Sequence, residues 1–436
     1  MSSFQELKKK IQNDNFSIGI LGLGYVGLPL AVLFAQKGNT VLGFEKSDSK
    51  TEKVNRAENY IGDVEDEHLD AVIRTKKLSA TSDFSRIQEC EVLIICVPTP
   101  LDRFKKPDMS YIQGACEEIG RYMKPGALIS LESTTYPTTT EDFMLPILEK
   151  ESGLKHGHDF YLCYSPERVD PGNHSFKTEN TPKVLGGLGE EASELGMLVY
   201  QKAIKQIHKV SSPRIAEMVK ILENTYRLVN ISLINELTLL AGKMDINMWE
   251  VIEAAKTKPF GFQAFYPGPG IGGHCIPLDP FYLEYIAKKY HFDLTMIHTA
   301  GHIDMMMPHR MVIKVNTILN RHKKSINGSK IMILGVAYKP DISDERESPA
   351  LKIMDELVHK GAEVFYHDPH IPEIHTEEGQ SFSSTPLTKD NIKNMDLVVI
   401  VTNHSVFNVQ DIVEKANLVV DMRNAVKFES EKVYKF

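Results

Sequence analysis

The sequence predicts an α/β chain: two doubly wound zones joined by a long central helix and a helical middle. Three observations carry this. From Phe16 to about Val210, short β-type runs alternate with helical stretches. From Ser211 to about Arg321 the strands stop, and after "HKKSINGS" the alternation resumes. Such alternation marks a parallel sheet wrapped by helices. At 436 residues the chain is too long for one ordinary domain, and length alone suggests about three. We divide it at 1–210, 211–322 and 323–436.

In order, the first strands are "FSIGILGL", "TVLGFE", "EVLIICVPT", "ALISLEST" and "DFYLCYSPE". Next, "SSPRIAEMVKILENTYRLVNISLINELTLLAGK" reads as one helix. Ser212 suits the N-cap, Pro213 the first helical position, and Gly242 the end. Its apolar positions Ile215, Met218, Val219, Leu222, Tyr226, Val229 and Leu233 recur at helical spacing. That stripe fits either a dimer interface or burial beneath the flanking domains. The last zone places strands at "KIMILGVAY", "AEVFYH", "DLVVIVT" and "NLVVDMR".

The chain is 42% hydrophobic and 25% charged, the proportions of a soluble globular protein. Fifty basic against 58 acidic residues leave a net charge of −8, which argues against nucleic acid. It leaves room for an anionic small molecule, since a local Lys/Arg cluster can reverse the field in one cleft. No apolar run approaches the roughly 18 residues that span a bilayer, and the N-terminus lacks the apolar core of a secretory signal. Five cysteines without CxxC spacing read as reduced cytoplasmic thiols.

"ILGLGYVGLPLAVLFAQKGNTVLGFEKS" sets Gly22, Gly24 and Gly27 between a strand and an amphipathic helix. The first glycine makes a tight turn, the second admits a pyrophosphate, and the third lets helix pack on strand. This is the Rossmann-like fingerprint. Glu45 ends the next strand, where an acid accepts from the ribose hydroxyls and repels a 2′-phosphate; NAD is favoured over NADP. Lys46 and Lys50 weaken that preference. Thr99 of "CVPTP" and Glu132, Ser133 and Thr134 of "LESTTYP" end later strands beside the same cleft, as ligand contacts or as turn caps.

"PGPGIGGHCIPLDP" surrounds Cys275 with glycines and prolines, a backbone made irregular and closely approachable. A thiolate there can act as a nucleophile. His274 adjoins it without the spaced partners of a zinc site, so no metal is expected. Lys220 and Asn224, one helical turn apart, can both donate to an oxyanion. From spacing alone, however, a lysine there is more often a solvated helix position. NAD plus a nucleophilic cysteine suits a four-electron oxidation of alcohol to acid, holding the intermediate as a thioester.

Taken in order, "GLGYVGLPLA", "VPTP", "ESTTYP", "SPERVDPGN", "EMVKILENTYRLVNISLINEL", "PGPGIGGHCIPLDPFYL", "GVAYKPDISDERESPA" and "DMRN" resemble the UDP-glucose/GDP-mannose dehydrogenase family. The likeness covers nearly the whole chain after Phe16. It implies an NAD-binding domain, a dimer-forming helical middle and a C-terminal Rossmann-like domain for a UDP-sugar, whose C6 hydroxyl is oxidised to a carboxylate. On this resemblance Cys275 is the nucleophile, and Lys220 with Asn224 stabilises oxyanions. Asp279 organises proton transfer, Glu167 assists thioester hydrolysis and Thr134 positions water. Gly22, Gly24, Tyr25, Val26, Gly27, Glu45, Lys50, Pro98, Thr99, Thr134 and Arg346 would hold NAD. Glu167, Arg168, Lys220, Asn224, Lys258, Phe265, Tyr266, Gly272, Tyr338, Lys339 and Arg423 would hold the UDP-sugar.

The motifs look most like the UDP-N-acetylglucosamine 6-dehydrogenase branch, which serves surface-polysaccharide synthesis. The UDP-N-acetylmannosamine and UDP-glucose branches follow. A β-hydroxyacid-type dehydrogenase would lack the second α/β zone, and a non-catalytic nucleotide-sugar sensor would not need the reactive side chains. One departure is "YPTTT", where relatives often carry glycine after the proline; Thr138 would restrict that turn.

Overall fold

The computed structural model describes residues 2–102, 106–170, 172–173, 175–273 and 275–436. It divides into two compact units: residues 1–223 with 281–292, and residues 224–280 with 293–436.

The first unit holds an eight-stranded sheet. Its strands are β1 (Ser17–Leu21), β2 (Thr40–Phe44), β3 (Leu78–Thr81), β4 (Val92–Ile95), β5 (Ala127–Leu131), β6 (Phe160–Tyr164), β7 (Lys183–Gly187) and β8 (Ile207–Val210). They lie in the order β3-β2-β1-β4-β5-β6-β7-β8. Strands β1, β4, β5 and β6 are buried almost throughout, as expected where helices cover both faces of a parallel sheet. Strands β3, β7 and β8 lack an apolar run that announces them. The sheet also departs from the parallel expectation at one place. Strand β7 runs antiparallel to β6 through Cys163↔Gly187 and Tyr164↔Gly186, then pairs parallel with β8. A Cβ on Gly187 would lie 2.6 Å from Ser193 Cα, so glycine there lets β7 pack closely against the helix Glu190–Tyr200.

The helix foreseen from Pro213 runs from Pro213 to Lys243, 31 residues and roughly 45 Å. The flanking elements do not cover its stripe. Leu222 is 58% exposed and Leu240 53%, and Ile215, Met218, Tyr226, Leu233 and Leu237 are exposed as well.

The second unit holds a five-stranded parallel sheet, order β10-β9-β13-β14-β15. Its strands are β9 (Lys330–Leu334), β10 (Glu363–His367), β13 (Leu397–Ile400), β14 (Val419–Asp421) and β15 (Val433–Lys435). A short β11 (Glu373–His375) and β12 (Ser381–Ser383) form a separate antiparallel pair. The helix Thr295–Arg321 lays Met307, Met311, Val315, Ile318 and Leu319 into the core behind this sheet. No helix among the described residues is long and apolar enough to cross a membrane.

Candidate active site

The glycine fingerprint has the geometry its chemistry requires. Gly22 holds φ +93, and a Cβ there would stand 2.6 Å from the Cys96 carbonyl oxygen. A Cβ on Gly27 would overlap the carbonyl of Gly22, whereas nothing lies within 4 Å of one on Gly24. Close packing at the first and third glycines with open space over the second is the cradle a pyrophosphate fills. Glu45, past the end of β2, accepts from Leu23 N and from Ser47 N at 3.3 Å each. The carboxylate is thereby tied to the glycine turn at the ribose position. Tyr60 donates to the Leu23 carbonyl at 2.7 Å; burial, then the Glu45 charge, pushes its hydroxyl up to about 12. These residues fit NAD.

The other expected cofactor contacts sit unevenly. Thr99 is half-buried, its carbonyl accepting from the Tyr282 hydroxyl, while Pro98 is exposed. Tyr25 is exposed beside half-buried Val26, and Lys50 is exposed on the helix Asp48–Asn55. Ser133, set as ligand or cap, donates to the Val97 carbonyl at 2.7 Å. That is a turn-holding bond. Thr134 is half-buried beside it, and Thr135, which sequence reading passed over, is fully buried with its hydroxyl 2.6 Å from that of Thr139.

Beyond β6, Glu167 folds back so that its Oε1 accepts from Arg168 N at 2.7 Å and Val169 N at 2.6 Å. Arg168 forms a fork with Glu223, donating to its two oxygens at 3.2 and 2.5 Å, and donates to the Pro182 carbonyl at 2.6 Å. Within this unit Arg168 is thus tied to the long helix. Lys220 is buried, 7% exposed, which reverses the expectation from spacing of a solvated position. One turn before it lies Glu217, fully buried and absent from the sequence-level reading. It accepts from Thr138 N at 2.6 Å, Thr140 N at 2.9 Å and Thr140 Oγ1 at 2.7 Å. Burial outweighs these donors and raises its carboxyl to about 7.

In the second unit, Asn224 is buried and donates to Asp279 Oδ2 at 2.5 Å. Asp279 opens the helix Asp279–Ala287, and its N–H donates to the Cys275 carbonyl at 2.8 Å. Cys275 therefore sits one turn ahead of that helix. It is the one exposed cysteine; Cys90, Cys96, Cys116 and Cys163 are buried. Burial raises all four of those thiols, Cys90 and Cys163 to about 12. A raised thiol is a poor nucleophile, so their environments exclude them from thiolate chemistry. His274 lies outside the described residues.

The glycines before Cys275 lean on the expected sugar-binding residues. A Cβ on Gly272 would stand 2.6 Å from Tyr338 Cβ, and one on Gly273, at φ +81, 2.9 Å from the Tyr338 ring. One on Gly268 would collide with the Arg423 guanidinium. Asn235 and Asp304, neither foreseen, hold the loop by accepting from Gly268 N at 3.0 Å and Ile271 N at 2.7 Å. Arg423 donates to the Val401 carbonyl at 2.8 Å. Burial lowers its guanidinium to about 10, so it stays cationic at neutral pH. Lys339 is half-buried at the same strand end.

Other expected contacts are engaged elsewhere. Arg346 forks onto Asp344 at 2.7 and 2.5 Å, while its carbonyl accepts from Gly273 N. Tyr266 stacks on Trp249 and donates to Glu253 at 2.7 Å, and Phe265 meets Tyr226 edge-on. Lys258 is exposed over the Phe260 ring. Asp341, His370 and His404 converge within 4.8 Å at this end of the sheet. Both ring nitrogens of His404 are already engaged, Nδ1 with Asp341 N at 3.0 Å and Nε2 with Asp368 at 2.9 Å.

Comparison with known proteins agrees along the whole chain. Residues 16–204, 214–305 and 332–428 match the NAD-binding, central and UDP-binding domains of the UDP-glucose/GDP-mannose dehydrogenase family. A UDP-N-acetyl-D-mannosamine dehydrogenase of Pyrococcus horikoshii is 35% identical over 416 residues, 94% of this chain and 96% of that protein. A UDP-N-acetyl-D-glucosamine 6-dehydrogenase of Pseudomonas aeruginosa is 33% identical over 394 residues, 90% and 92% of the two chains. The solved UDP-D-ManNAc dehydrogenase of Pyrococcus horikoshii superposes with TM-score 0.87 at 34% identity, covering 96% of this chain and 98% of that one. With three domain matches in series upon a glycine cradle built for NAD, the chain belongs to the UDP-glucose/GDP-mannose dehydrogenase family and is an NAD-dependent UDP-sugar oxidoreductase.

Proposed function

We propose that this enzyme oxidises the C6 hydroxyl of UDP-N-acetylglucosamine to a carboxylate in two oxidations joined by a thioester on Cys275. One observation carries the reading: the only exposed thiol among five sits in a loop packed on Tyr338 and Arg423, beside the Asn224–Asp279 pair. UDP-N-acetylmannosamine is the second reading, favoured by the Pyrococcus relative.

NAD⁺, held by Gly22, Gly24, Gly27 and Glu45, supplies the hydride acceptor. Overall, alcohol, two NAD⁺ and one water give acid, two NADH and two protons. The chain's residues do the rest. Tyr338, Lys339 and Arg423 bind the UDP moiety, and the guanidinium meets phosphate as a fork. Lys220 and Asn224 stabilise the alkoxide and the tetrahedral oxyanion. The Cys275 thiolate bonds to C6 at the aldehyde level, the second oxidation leaves an acyl–sulfur bond, and Glu167 draws a proton from the water that cleaves it. Asp279, holding Asn224, orients that amide. Arg346, Thr134, Lys258, Phe265 and Tyr266 remain assigned as contacts that form when ligands bind.

The domain division at 1–210, 211–322 and 323–436 follows these tasks. A second copy of the chain covers the exposed stripe from Ile215 to Leu240, because so long an apolar face on one helix is unlike a monomer's surface; a one-chain mass by light scattering overturns this. Free cysteines and the absence of a spanning helix among the described residues suit the cytoplasm, where precursors of surface polysaccharide are made.

The deciding experiment incubates purified protein with NAD⁺ and a panel of UDP-sugars, reading NADH yield and product mass. Two NADH per UDP-N-acetylglucosamine with an acid product is the expected result. One NADH with a keto product sinks the four-electron reading, and no NADH with any UDP-sugar favours a nucleotide-sugar sensor.

A further inference from the structure

Lys183 and Glu132 form a buried ion pair that the mechanism above does not use. Lys183 begins β7, Glu132 follows β5, and their side chains are 5% and 0% exposed. Lys183 Nζ donates to Glu132 Oε2 at 2.5 Å and to the Pro166 carbonyl at 3.2 Å. It also lies 5.3 Å from the centre of the Tyr200 ring. Glu132 Oε1 is buried without a hydrogen-bond partner among the described residues.

As a stabilising device this pair is poor. Taking two ions out of water costs several kcal/mol each, and packed apolar side chains often do as well. The half-satisfied carboxylate worsens the balance. Something other than stability accounts for a lysine in this place, and its second bond says what. Pro166 immediately precedes Glu167, whose Oε1 is fixed from the other side by the N–H groups of Arg168 and Val169. Ser165 completes the hold by donating Oγ to the Val184 carbonyl at 2.8 Å. One ammonium is therefore bonded both to Glu132 and to the peptide carbonyl that leads into Glu167. Burial works against the Lys183 cation, but the Glu132 and then the Glu167 charges outweigh it and shift its titration upward. For Glu132 the burial cost dominates, and its carboxyl is raised.

We propose that Lys183, anchored by Glu132, is a positioning residue that fixes the backbone leading into Glu167 and so holds that side chain in place for hydrolysis of the Cys275 thioester. This rests on the thioester reading. In that step Glu167 takes a proton from water, the water oxygen bonds to the acyl carbon, and the C–S bond breaks to release the thiolate. No electrons are exchanged. Without the ammonium, the Pro166 carbonyl loses its tether and Glu167 the fixed place that a general base needs.

The test uses the full-length enzyme with NAD⁺ and the UDP-sugar it turns over fastest. Lys183→Met alone strands a buried carboxylate and risks misfolding; Glu132→Gln/Lys183→Met removes both charges. Glu167→Gln is the reference. The double variant should keep a rapid burst of two NADH per site, then turn over at least tenfold more slowly, since displacing a catalytic group by about 1 Å can cost on the order of a hundredfold. Intact-mass spectra should show the acyl adduct on the protein. A wild-type steady-state rate without adduct overturns the proposal, as does a lost burst in folded protein. If Glu167→Gln neither slows turnover nor accumulates adduct, the Glu167 assignment itself falls, and the proposal with it.

Discussion

Replacing Thr138 by glycine should stabilise this protein. Thr138 adopts φ +83 and ψ −1, the left-handed region, immediately before the π-helical turn Thr139–Met144. A Cβ there costs roughly 1–2 kcal/mol, and a β-branched residue is a particular outlier. Its Oγ1 is buried without a hydrogen-bond partner among the described residues, worth about 1 kcal/mol more. Against this stand the burial of its methyl, about 0.8 kcal/mol, and glycine's greater unfolded freedom, about 0.5–1 kcal/mol. The balance favours Thr138→Gly by about 0.5–1 kcal/mol, or roughly 1–4 °C for a unit of this size. The N–H to Glu217 survives the change, so the turn keeps its anchor. Calorimetry at a fixed scan rate reads the shift, with Thr138→Ala as control. Alanine sheds the hydroxyl but keeps the Cβ, so it should melt below the glycine variant. A glycine variant melting below wild type, or an alanine variant above the glycine one, refutes backbone strain as the governing quantity.

Three further expectations concern charge, loop and nucleophile. Glu217 is raised from the ordinary carboxylate value to about 7, so its favourable contribution is complete below about pH 4.5 and fades as pH rises through 7. The calorimetric stability of wild type relative to Glu217→Gln should thus fall by about 3 kcal/mol between pH 4.5 and 8; a pH-independent gap would mean the carboxylate is ionised throughout. Gly268→Ala meets only the flexible end of Arg423 and should leave stability within about 0.5 kcal/mol, while the KM for UDP-sugar rises and kcat holds. Gly273→Ala, at φ +81 against the Tyr338 ring, should destabilise instead, and equal melting temperatures for the two variants would contradict the packing argument. Cys275→Ser should stall after one NADH or lose turnover; steady formation of the acid by that variant rules out the thioester.

What the sequence made legible follows from how far apart cooperating residues lie in the chain. Gly22, Gly24, Gly27 and Glu45 sit within one strand–helix–strand unit, where spacing and turn chemistry specify the geometry, and the structure matches it. The long helix was legible for the same local reason. Its solvent exposure was not, because an apolar stripe reads alike whether a domain or a second copy covers it. Long-range pairing left no mark. Glu217 meets Thr138 across 79 residues, and Lys183 meets Glu132 across 51. A glutamate on a helix and a lysine opening a strand are each, alone, ordinary surface residues. Strand β7 shows why the second pair escaped. Its reversal against β6 carries Lys183 past the end of β6, toward the loop that holds Glu167. A parallel β7 would place that lysine at the opposite end of the strands. Nothing in "KVLGG" announces the reversal; its glycines serve close packing elsewhere, Gly187 against Ser193 and Gly186 against Ser212. An antiparallel step in a parallel sheet therefore relocates chemistry as well as topology, and a charged residue opening such a strand belongs among the first candidates to test.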